Sequence, residues 1–293
     1  MFQSLDYQSI SPKKVIRGPN VWRNSIDSIH SICTKPIIIG GSKATKEIRN
    51  KIKNDLQNKG LLITSDELNY GCCEVDLIRL QQTATINNVD GVIAAGGGKT
   101  LDAGKLLADR LSIPCITVPL SAATCAGWTA LANIYSPSGQ FIRDKTLSSN
   151  PDLLIFNHSF VKKAPPRTLA SGIADALAKW YESSIANKGS KDGLVQQAVQ
   201  MSRVLRDQLF IDANQAFQNP NTEEWVRVAE GCALTAGLVG GIGGATCRTA
   251  AAHAVHNGLT QLSLKTKPLH GEIVGYGILV QLRLEEIIHN NQL

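Results

Sequence analysis

The first half of the chain alternates short apolar runs with segments of helical periodicity. Apolar runs bounded by turn residues predict buried strands of a parallel sheet, because such strands are covered on both faces. The predicted strands are KPIIIGG (35–41), LLIT (61–64), GVIAAG (91–96), IPCITVP (113–119) and DLLIF (152–156). Residues 42–60 and 99–112 between them have the pattern of helices. This succession is typical of βαβ units.

After about residue 158 the strand pattern stops. The rest of the chain predicts helices over 165–187, 194–210, 223–240 and 246–263. Neither a repeat nor a low-complexity tract nor a long linker separates these segments. We therefore predict an α/β amino-terminal domain (1–158) with a Rossmann-like parallel sheet. An all-α carboxy-terminal domain (159–293) follows it, and a ligand cleft lies between the two.

Composition narrows the class of protein. The 293 residues are 43% hydrophobic and 18% charged, which is typical of a globular protein. The net charge of +6 is spread over small groups, so we do not expect nucleic acid as a partner. The seven cysteines are odd in number and form no C-x-x-C pair, which favours reduced thiols. The start, MFQSLDYQSISPKK, lacks the apolar core of a signal peptide. We expect a cytoplasmic protein with a small-molecule substrate and no membrane partner, and leave open whether it forms a homo-oligomer.

A glycine-rich segment, GVIAAGGGKTLDAGK (91–105), raises the question of a phosphate site. A Walker loop would need glycine at Ile93, and the common dinucleotide fingerprint would need glycine at Leu101. The three glycines that end the strand nevertheless permit close approach of a ligand, and the next helix offers unpaired N–H groups. A pyrophosphate fits there, at the carboxyl end of a strand. A tight turn without a ligand is the alternative.

Ionisable side chains within apolar helices indicate a metal site. Asp175 lies in GIADALA, where an ionised carboxylate is costly unless it is paired or coordinated. An ion pair with Lys179, one turn later, is the alternative. The segment AAAHAVHNGL places His253 and His256 on one helix face, and PLHGE supplies His270. Histidines with one carboxylate predict a catalytic metal site that keeps open coordination positions.

Four motifs together resemble a known family. GGGKTLDAGK, GIADALAKWYES, AAAHAVHNGLT and HGEIVGYGILVQL occur here in the order found in the glycerol dehydrogenase branch of the iron-containing (group III) alcohol dehydrogenases. The T-C-A-x-W-T pattern is most similar to the hydroxycarboxylate dehydrogenase A type. The resemblance implies a dehydroquinate synthase-like fold, a dinucleotide-binding domain, and a helical domain that holds one divalent ion, zinc or iron. It also implies reversible hydride transfer between NAD(P)(H) and a carbonyl compound.

The resemblance assigns roles to particular residues. The metal ligands fall on Asp175, His253 and His270. His256 becomes the candidate proton relay, with a hydrogen bond behind a ligand or a cofactor contact as alternatives. The cofactor-binding positions are Gly96, Gly97, Gly98, Lys99 and Thr100, completed by Asp102 and Lys105, and further Thr129, Leu131 and Tyr135.

Departures from the family pattern bear on specificity. Cys125 stands where glycerol dehydrogenases have an aspartate that meets the polyol, so we expect a 2-oxo acid reductase rather than glycerol chemistry. Arg248 is the candidate partner of a substrate carboxylate, with a surface arginine as the alternative. Gly41, followed by Lys43, stands where NAD-preferring members have an aspartate for the ribose hydroxyls, so we expect NADP to be preferred or accepted.

Length is the last departure. Family chains continue past the position of the final residue here, so the sequence suggests a truncated chain with apolar helix faces exposed. The alternatives are a glycerol dehydrogenase, a lyase that regenerates its NAD, and a truncated, inactive nucleotide-binding homologue.

Overall fold

A computed structural model of the protein describes residues 8–263 and 266–290. The predicted domain limits at residues 1 and 293 lie outside the described residues, as does the segment MFQSLDY (1–7).

The described residues contain eight strands. They are β1 (Lys14–Gly18), β2 (Pro36–Gly40), β3 (Thr64–Glu67), β4 (Gly91–Gly96), β5 (Cys115–Pro119), β6 (Leu131–Tyr135), β7 (Phe141–Thr146) and β8 (Leu153–Asn157). Six of them form one parallel sheet in the order β1-β8-β5-β4-β2-β3. β6 and β7 form a separate antiparallel hairpin.

Helices fill the connections and the second half of the chain. They are α1 (Trp22–His30), α2 (Lys46–Asn58), α3 (Glu74–Ile86), α4 (Gly98–Leu111), α5 (His158–Val161), α6 (Pro166–Ala186), α7 (Gly193–Gln218), α8 (Glu223–Glu230), α9 (Ala236–Gly243), α10 (Ala251–Leu259) and α11 (His270–Asn290). A π-helical stretch, Gly231–Thr235, joins α8 to α9, so the segment predicted as one helix over 223–240 has three parts.

The predicted order of an α/β part followed by a helical part is confirmed. Strands β2, β4, β5 and β8 lie within one residue of predicted runs or inside them, and all four are buried throughout. The prediction for LLIT (61–64) is wrong, because β3 begins only at Thr64. Strand β1 and the β6–β7 hairpin were not predicted. Every described element after Asn157 is helical.

The sheet is covered on both faces, which explains the continuous apolar runs of its central strands. Ile37 and Ile39 of β2 pack in one cluster with residues of α3, α4 and the hairpin. Ile38, between them, packs in the opposite cluster with residues of α1 and α2. Successive side chains of a strand point to opposite faces, so both faces of the sheet are apolar cores.

Two glycines bring the helical part close to the sheet. A Cβ at Gly172 in α6 would lie 1.9 Å from the carbonyl oxygen of Ala122, just after β5. A Cβ at Gly271 in α11 would lie 1.7 Å from the carbonyl oxygen of Ser171. No side chain fits at either distance. α6 therefore contacts the carboxyl end of the sheet by its backbone, and the start of α11 contacts α6 in the same way.

One helical stretch of the described residues, Glu223–Gly243, is long and apolar enough to cross a membrane by length and composition. Of its most apolar window, 67% is buried inside the protein. Trp225 and Val228 belong to the apolar cluster that also contains Leu205 and Phe156. The stretch is therefore packed as a core helix.

Candidate functional site

Three helices bring together one carboxylate and two imidazoles. Asp175 lies in α6, His253 in α10, and His270 is the first residue of α11. The Oδ1 atom of Asp175 is 3.3 Å from Nε2 of His253 and 3.4 Å from Nε2 of His270. The ligand atoms of the three residues all lie within 4.8 Å of one another. The structure thus assembles the three predicted metal ligands in one place, with geometry suited to a single ion.

The carboxylate at the centre of this cluster lacks an ordinary partner. Asp175 Oδ1 is buried and, among the described residues, has no hydrogen bond of acceptable geometry. Burial opposes its ionisation, but the charge of Lys179 and the two imidazoles hold the pKa of Asp175 well below its usual value. A buried, ionised oxygen without a hydrogen bond is costly unless a cation neutralises it. The residues present therefore fit a divalent ion.

A second buried carboxylate, Glu182, orients His253. Its Oε2 lies 2.6 Å from Nδ1 of His253, and its Oε1 accepts the backbone N–H groups of Ala250 at 2.7 Å and of His253 at 2.9 Å. When Nδ1–H of a neutral His253 donates its hydrogen bond to the ionised Glu182, the lone pair of Nε2 is left for an ion beside Asp175. Carboxylates behind metal-binding histidines fix the imidazole in this way. Glu182 was not predicted from the sequence, although it lies seven residues after Asp175 on the same helix face.

His256 stands behind His270 in a similar manner. Nδ1 of His256 is 2.9 Å from Oδ1 of Asn257, and Nε2 of His256 is 2.9 Å from Nδ1 of His270. A donor bond from His256 to Asn257 leaves Nε2 of His256 to accept from His270. The lone pair of Nε2 of His270 then faces Asp175. The geometry matches the hydrogen bond considered as an alternative role for His256; the relay role stays a prediction.

Lys179 is not the ion-pair partner of Asp175. Among the described residues, the ion pairs of Asp175 within 4.0 Å are those with His253 and His270. The Lys179 ammonium instead donates to the backbone carbonyl of Arg248 at 3.2 Å. The alternative interpretation of Asp175 as half of an i,i+4 pair is therefore wrong.

Both predicted substrate residues lie near this cluster. Cys125 is half-buried between β5 and β6; burial raises the pKa of its thiol, against the nearby charge of Lys179. Arg248 is half-buried and donates from Nε to the carbonyl oxygen of Gly240 at 3.1 Å. Burial lowers the pKa of Arg248, and the Cys125 thiol is among the groups close enough to act on it. Arg248 is thus not a surface arginine, and it lies on the side of Cys125.

The glycine loop joins β4 to α4 at the carboxyl end of the sheet. A Cβ at Gly96 would meet Thr100 at 2.8 Å, whereas a Cβ at Gly97 would meet only Ser121 Oγ at 3.9 Å. Packing within the protein therefore requires glycine at 96 but not at 97. The Lys99 ammonium lies 4.5 Å from the centre of the Tyr135 ring. Two predicted cofactor residues are thus adjacent, at the rim of the loop.

Asp102 and Lys105 lie below the loop instead of at its surface. Both are buried, with Lys105 Nζ 3.0 Å from Asp102 Oδ1. Lys105 also donates to the carbonyl oxygens of Thr129, at 3.0 Å, and Leu131, and Asp102 accepts the backbone N–H of Asn133 at 3.2 Å. These contacts bind α4 to the hairpin. The structure therefore gives this pair a structural task in place of direct exposure to a ligand.

The position after β2 is open. Gly41 and Lys43 are both exposed, and a Cβ at Gly41 would meet Leu68 at 3.2 Å. The nearby Arg49 guanidinium donates to the carbonyl oxygen of Ser42 at 2.9 Å and to Glu67 at 3.0 Å. The predicted ribose position therefore has an exposed lysine and, close by, an arginine that is paired with Glu67.

A parallel sheet with a glycine loop at its carboxyl edge, next to a cluster of histidines and a carboxylate, defines a class of dehydrogenase. The chain belongs to the iron-containing alcohol dehydrogenase family, whose model matches residues 12–158. It is therefore an oxidoreductase that acts on CH–OH groups. The cofactors of this family are a nicotinamide dinucleotide and a divalent metal ion, and the cluster around Asp175 is the candidate site for the ion.

Individual relatives agree with this assignment. An uncharacterized oxidoreductase of Synechocystis sp. is 44% identical over 99% of this chain and 75% of its own length. Hydroxycarboxylate dehydrogenase A of Escherichia coli is 38% identical over 73% of this chain and 60% of its own length. The crystal structure of glycerol dehydrogenase from Schizosaccharomyces pombe superposes with a TM-score of 0.81 at 30% identity, covering 96% of this chain and 73% of that one.

Proposed function

We propose that the protein reduces a 2-oxo acid, and oxidises the corresponding 2-hydroxy acid, with NADP(H) and one divalent ion. The observation that carries this proposal is that a half-buried Cys125 replaces a carboxylate, while the half-buried Arg248 is joined through its carbonyl oxygen to Lys179, one turn after Asp175. A polyol would lack a carboxylate partner at Cys125, whereas an anionic substrate meets no carboxylate there and finds a cation.

Asp175, His253 and His270 would hold the ion, zinc or iron, both of which accept imidazoles and a carboxylate. When bound, the ion supplies Lewis acidity toward the carbonyl oxygen of the substrate. The role of the protein is to hold three ligand atoms in place. Glu182 and His256 contribute to this by accepting hydrogen bonds from the Nδ1 atoms of the two ligand histidines.

The proposed cofactor site uses the open side of the glycine loop. Gly97 needs no glycine for packing, so close approach of a pyrophosphate is a sufficient reason for its lack of a side chain. The unpaired N–H groups at the start of α4 would bind the phosphates. Lys99, Thr129, Leu131 and Tyr135 would border the nicotinamide half, with Lys99 beside Tyr135. Gly41 and Lys43 favour a 2′-phosphate, since no carboxylate side chain at 41 repels it.

We propose that His256 relays the proton that the substrate oxygen gains or loses in the reaction. Its Nε2 accepts a hydrogen bond from Nδ1 of His270, so its imidazole is in direct contact with a predicted metal ligand. His256→Ala should lower turnover even when the metal concentration saturates the site; a variant that turns over at the wild-type rate under these conditions would refute the relay.

We also propose a cellular location and partners for the protein. All seven cysteines are free, which supports the cytoplasm. A small-molecule substrate, and neither nucleic acid nor a membrane, is the expected partner. Assembly of several copies is left open.

The deciding experiment is the rate of NADPH oxidation by metal-loaded protein with a 2-oxo acid and, in parallel, with dihydroxyacetone. We expect faster oxidation with the 2-oxo acid. Cys125→Asp should reverse the preference, because it adds an acceptor for hydroxyls and repels a carboxylate. Faster oxidation with dihydroxyacetone by the wild type would instead indicate a glycerol dehydrogenase. That is the second candidate function, and the likeness to the Schizosaccharomyces pombe enzyme favours it. Product formation without net change in NADPH would indicate a lyase, and cofactor binding without turnover an inactive homologue.

A further inference from the structure

Lys179 is a buried ammonium group whose charge acts on Asp175 but which, among the described residues, forms no ion pair with it within 4.0 Å. Only 5% of the residue is exposed, and lysines are rarely buried to this degree unless they are paired. Its one hydrogen bond among the described residues goes to the carbonyl oxygen of Arg248 at 3.2 Å. An ammonium group has three N–H donors, so two remain for other acceptors.

A second cation lies next to it. Arg248 contributes the carbonyl oxygen that Lys179 contacts, and its own guanidinium uses Nε to bind Gly240. Within the described part of the chain, neither Lys179 nor Arg248 forms an ion pair with a carboxylate within 4.0 Å. Asp175 and Glu182 act on the charge of Lys179 from a greater distance, and Arg248 opposes it, so the two unused N–H donors of Lys179 lack a direct anionic acceptor.

The surroundings of Lys179 and Arg248 show where these two cations lie relative to the predicted metal site. Lys179 follows Asp175 by one helical turn in α6, and Cys125 packs against the apolar cluster that contains Ala176 of the same helix. The two cations therefore border the Asp175 cluster on the side of Cys125. A substrate whose carbonyl group faces the cluster would direct an adjacent substituent toward them.

We propose that Lys179 binds the carboxylate of the substrate together with Arg248, and that it is the residue by which this site selects a 2-oxo acid over a neutral ketone. This inference rests on the proposed function. A carboxylate forms hydrogen bonds with the ammonium and the guanidinium in which donor and acceptor are both charged, whereas a hydroxyl of dihydroxyacetone forms ones in which only the donor is charged. Lys179 is a specificity residue in this scheme and takes no part in hydride transfer.

The test is Lys179→Met, which keeps the length of the side chain and removes its charge. We expect kcat/KM for a 2-oxo acid to fall about 10²-fold, mainly through KM, with the value for dihydroxyacetone changed by less than about threefold. Lys179→Arg should retain most of the preference. Lys188→Met, at an exposed position just after the same helix, is the matched control and should behave as wild type.

A binding measurement separates this inference from the proposed function. Calorimetric titration with oxamate, a non-reacting analogue of a 2-oxo acid, should show about 10²-fold weaker binding to Lys179→Met than to wild type. Equal losses with both substrates, or unchanged oxamate binding, would overturn the role of Lys179. If Lys179→Met does not fold by circular dichroism, Arg248→Gln must show the same selective loss. A wild-type enzyme that prefers dihydroxyacetone would refute the proposed function, whereas the oxamate titration would still decide whether Lys179 binds a carboxylate.

Discussion

Glu182→Gln tests whether the second carboxylate sets the protonation of His253. In the wild type, Oε1 accepts two backbone N–H groups, at 2.7 and 2.9 Å, and Oε2 faces Nδ1 of His253 at 2.6 Å. A glutamine has only one acceptor oxygen, which must stay with the two backbone donors. Its NH₂ group then faces Nδ1, so the imidazole must carry its proton on Nε2. That proton would point toward Asp175 Oδ1, 3.3 Å away, in the space that a metal ion would occupy.

The expected loss of metal affinity follows from this change of the His253 tautomer. Partners of ligand histidines contribute about 10- to 100-fold to metal affinity, which corresponds to about 1.4 to 2.8 kcal/mol. The free energy of unfolding of the metal-free protein should fall by much less, because the Nε2–H of the new tautomer can donate to Asp175 Oδ1. We therefore expect weaker metal binding with little change in the unfolding of the metal-free protein.

The assay is competition for zinc against a chelator of known affinity, with thermal unfolding of the metal-free forms measured in parallel. Glu286→Gln, at an exposed position of α11, is the matched control and should leave both quantities unchanged. A zinc affinity of Glu182→Gln within twofold of wild type would refute the assignment of Glu182. An equal loss of stability in the metal-free form would mean that Glu182 acts in folding rather than in metal binding.

Three further predictions concern packing, the loop and the cofactor. Gly172→Ala should destabilise the protein by about 1 to 3 kcal/mol in urea unfolding, because its Cβ would overlap the Ala122 carbonyl, whereas Gly193→Ala, with nothing within 4 Å of the added atom, should be neutral or slightly stabilising. Lys105→Met should cost about 3 to 5 kcal/mol in the same assay, because it leaves Asp102 buried without its cation; a change confined to NADPH affinity would instead place Lys105 at the cofactor. Gly41→Asp should shift the ratio of kcat/KM for NADPH over NADH toward NADH by at least about tenfold, and an unchanged ratio would contradict the role given to Gly41.

Sequence patterns predicted the centre of the sheet better than its edges, for a physical reason. β2, β4, β5 and β8 have neighbours on both sides and are buried on both faces, so they read as continuous apolar runs. β1 and β3 are the two edge strands, and every residue of both is exposed or half-buried. A search for apolar runs therefore passed over KVIRG and selected LLIT, which precedes the real strand TSDE.

The candidate site shows the same division. Asp175, His253 and His270 were detectable because ionisable side chains are conspicuous in apolar helices. Lys179 and Glu182 carry the same signal in ALAKWYES, but Lys179 resembled an ordinary i,i+4 partner of Asp175, and no role was predicted for Glu182. Only the fold shows that Lys179 contacts the backbone of Arg248 and that Glu182 contacts the start of α10. Those contacts join segments about 70 residues apart, and local spacing contains no information about them.

The position of β8 in the sheet has a consequence for synthesis on the ribosome. β1 pairs with β8, and β8 lies between β1 and β5, so the edge strand made first cannot join the sheet until residues 153–157 have emerged. At about 5 to 20 residues per second, β1 waits roughly 7 to 28 seconds for its partner. During that interval its unpaired backbone is available to other nascent chains. Slowing translation before residue 153 should therefore increase aggregation more than slowing it after residue 160.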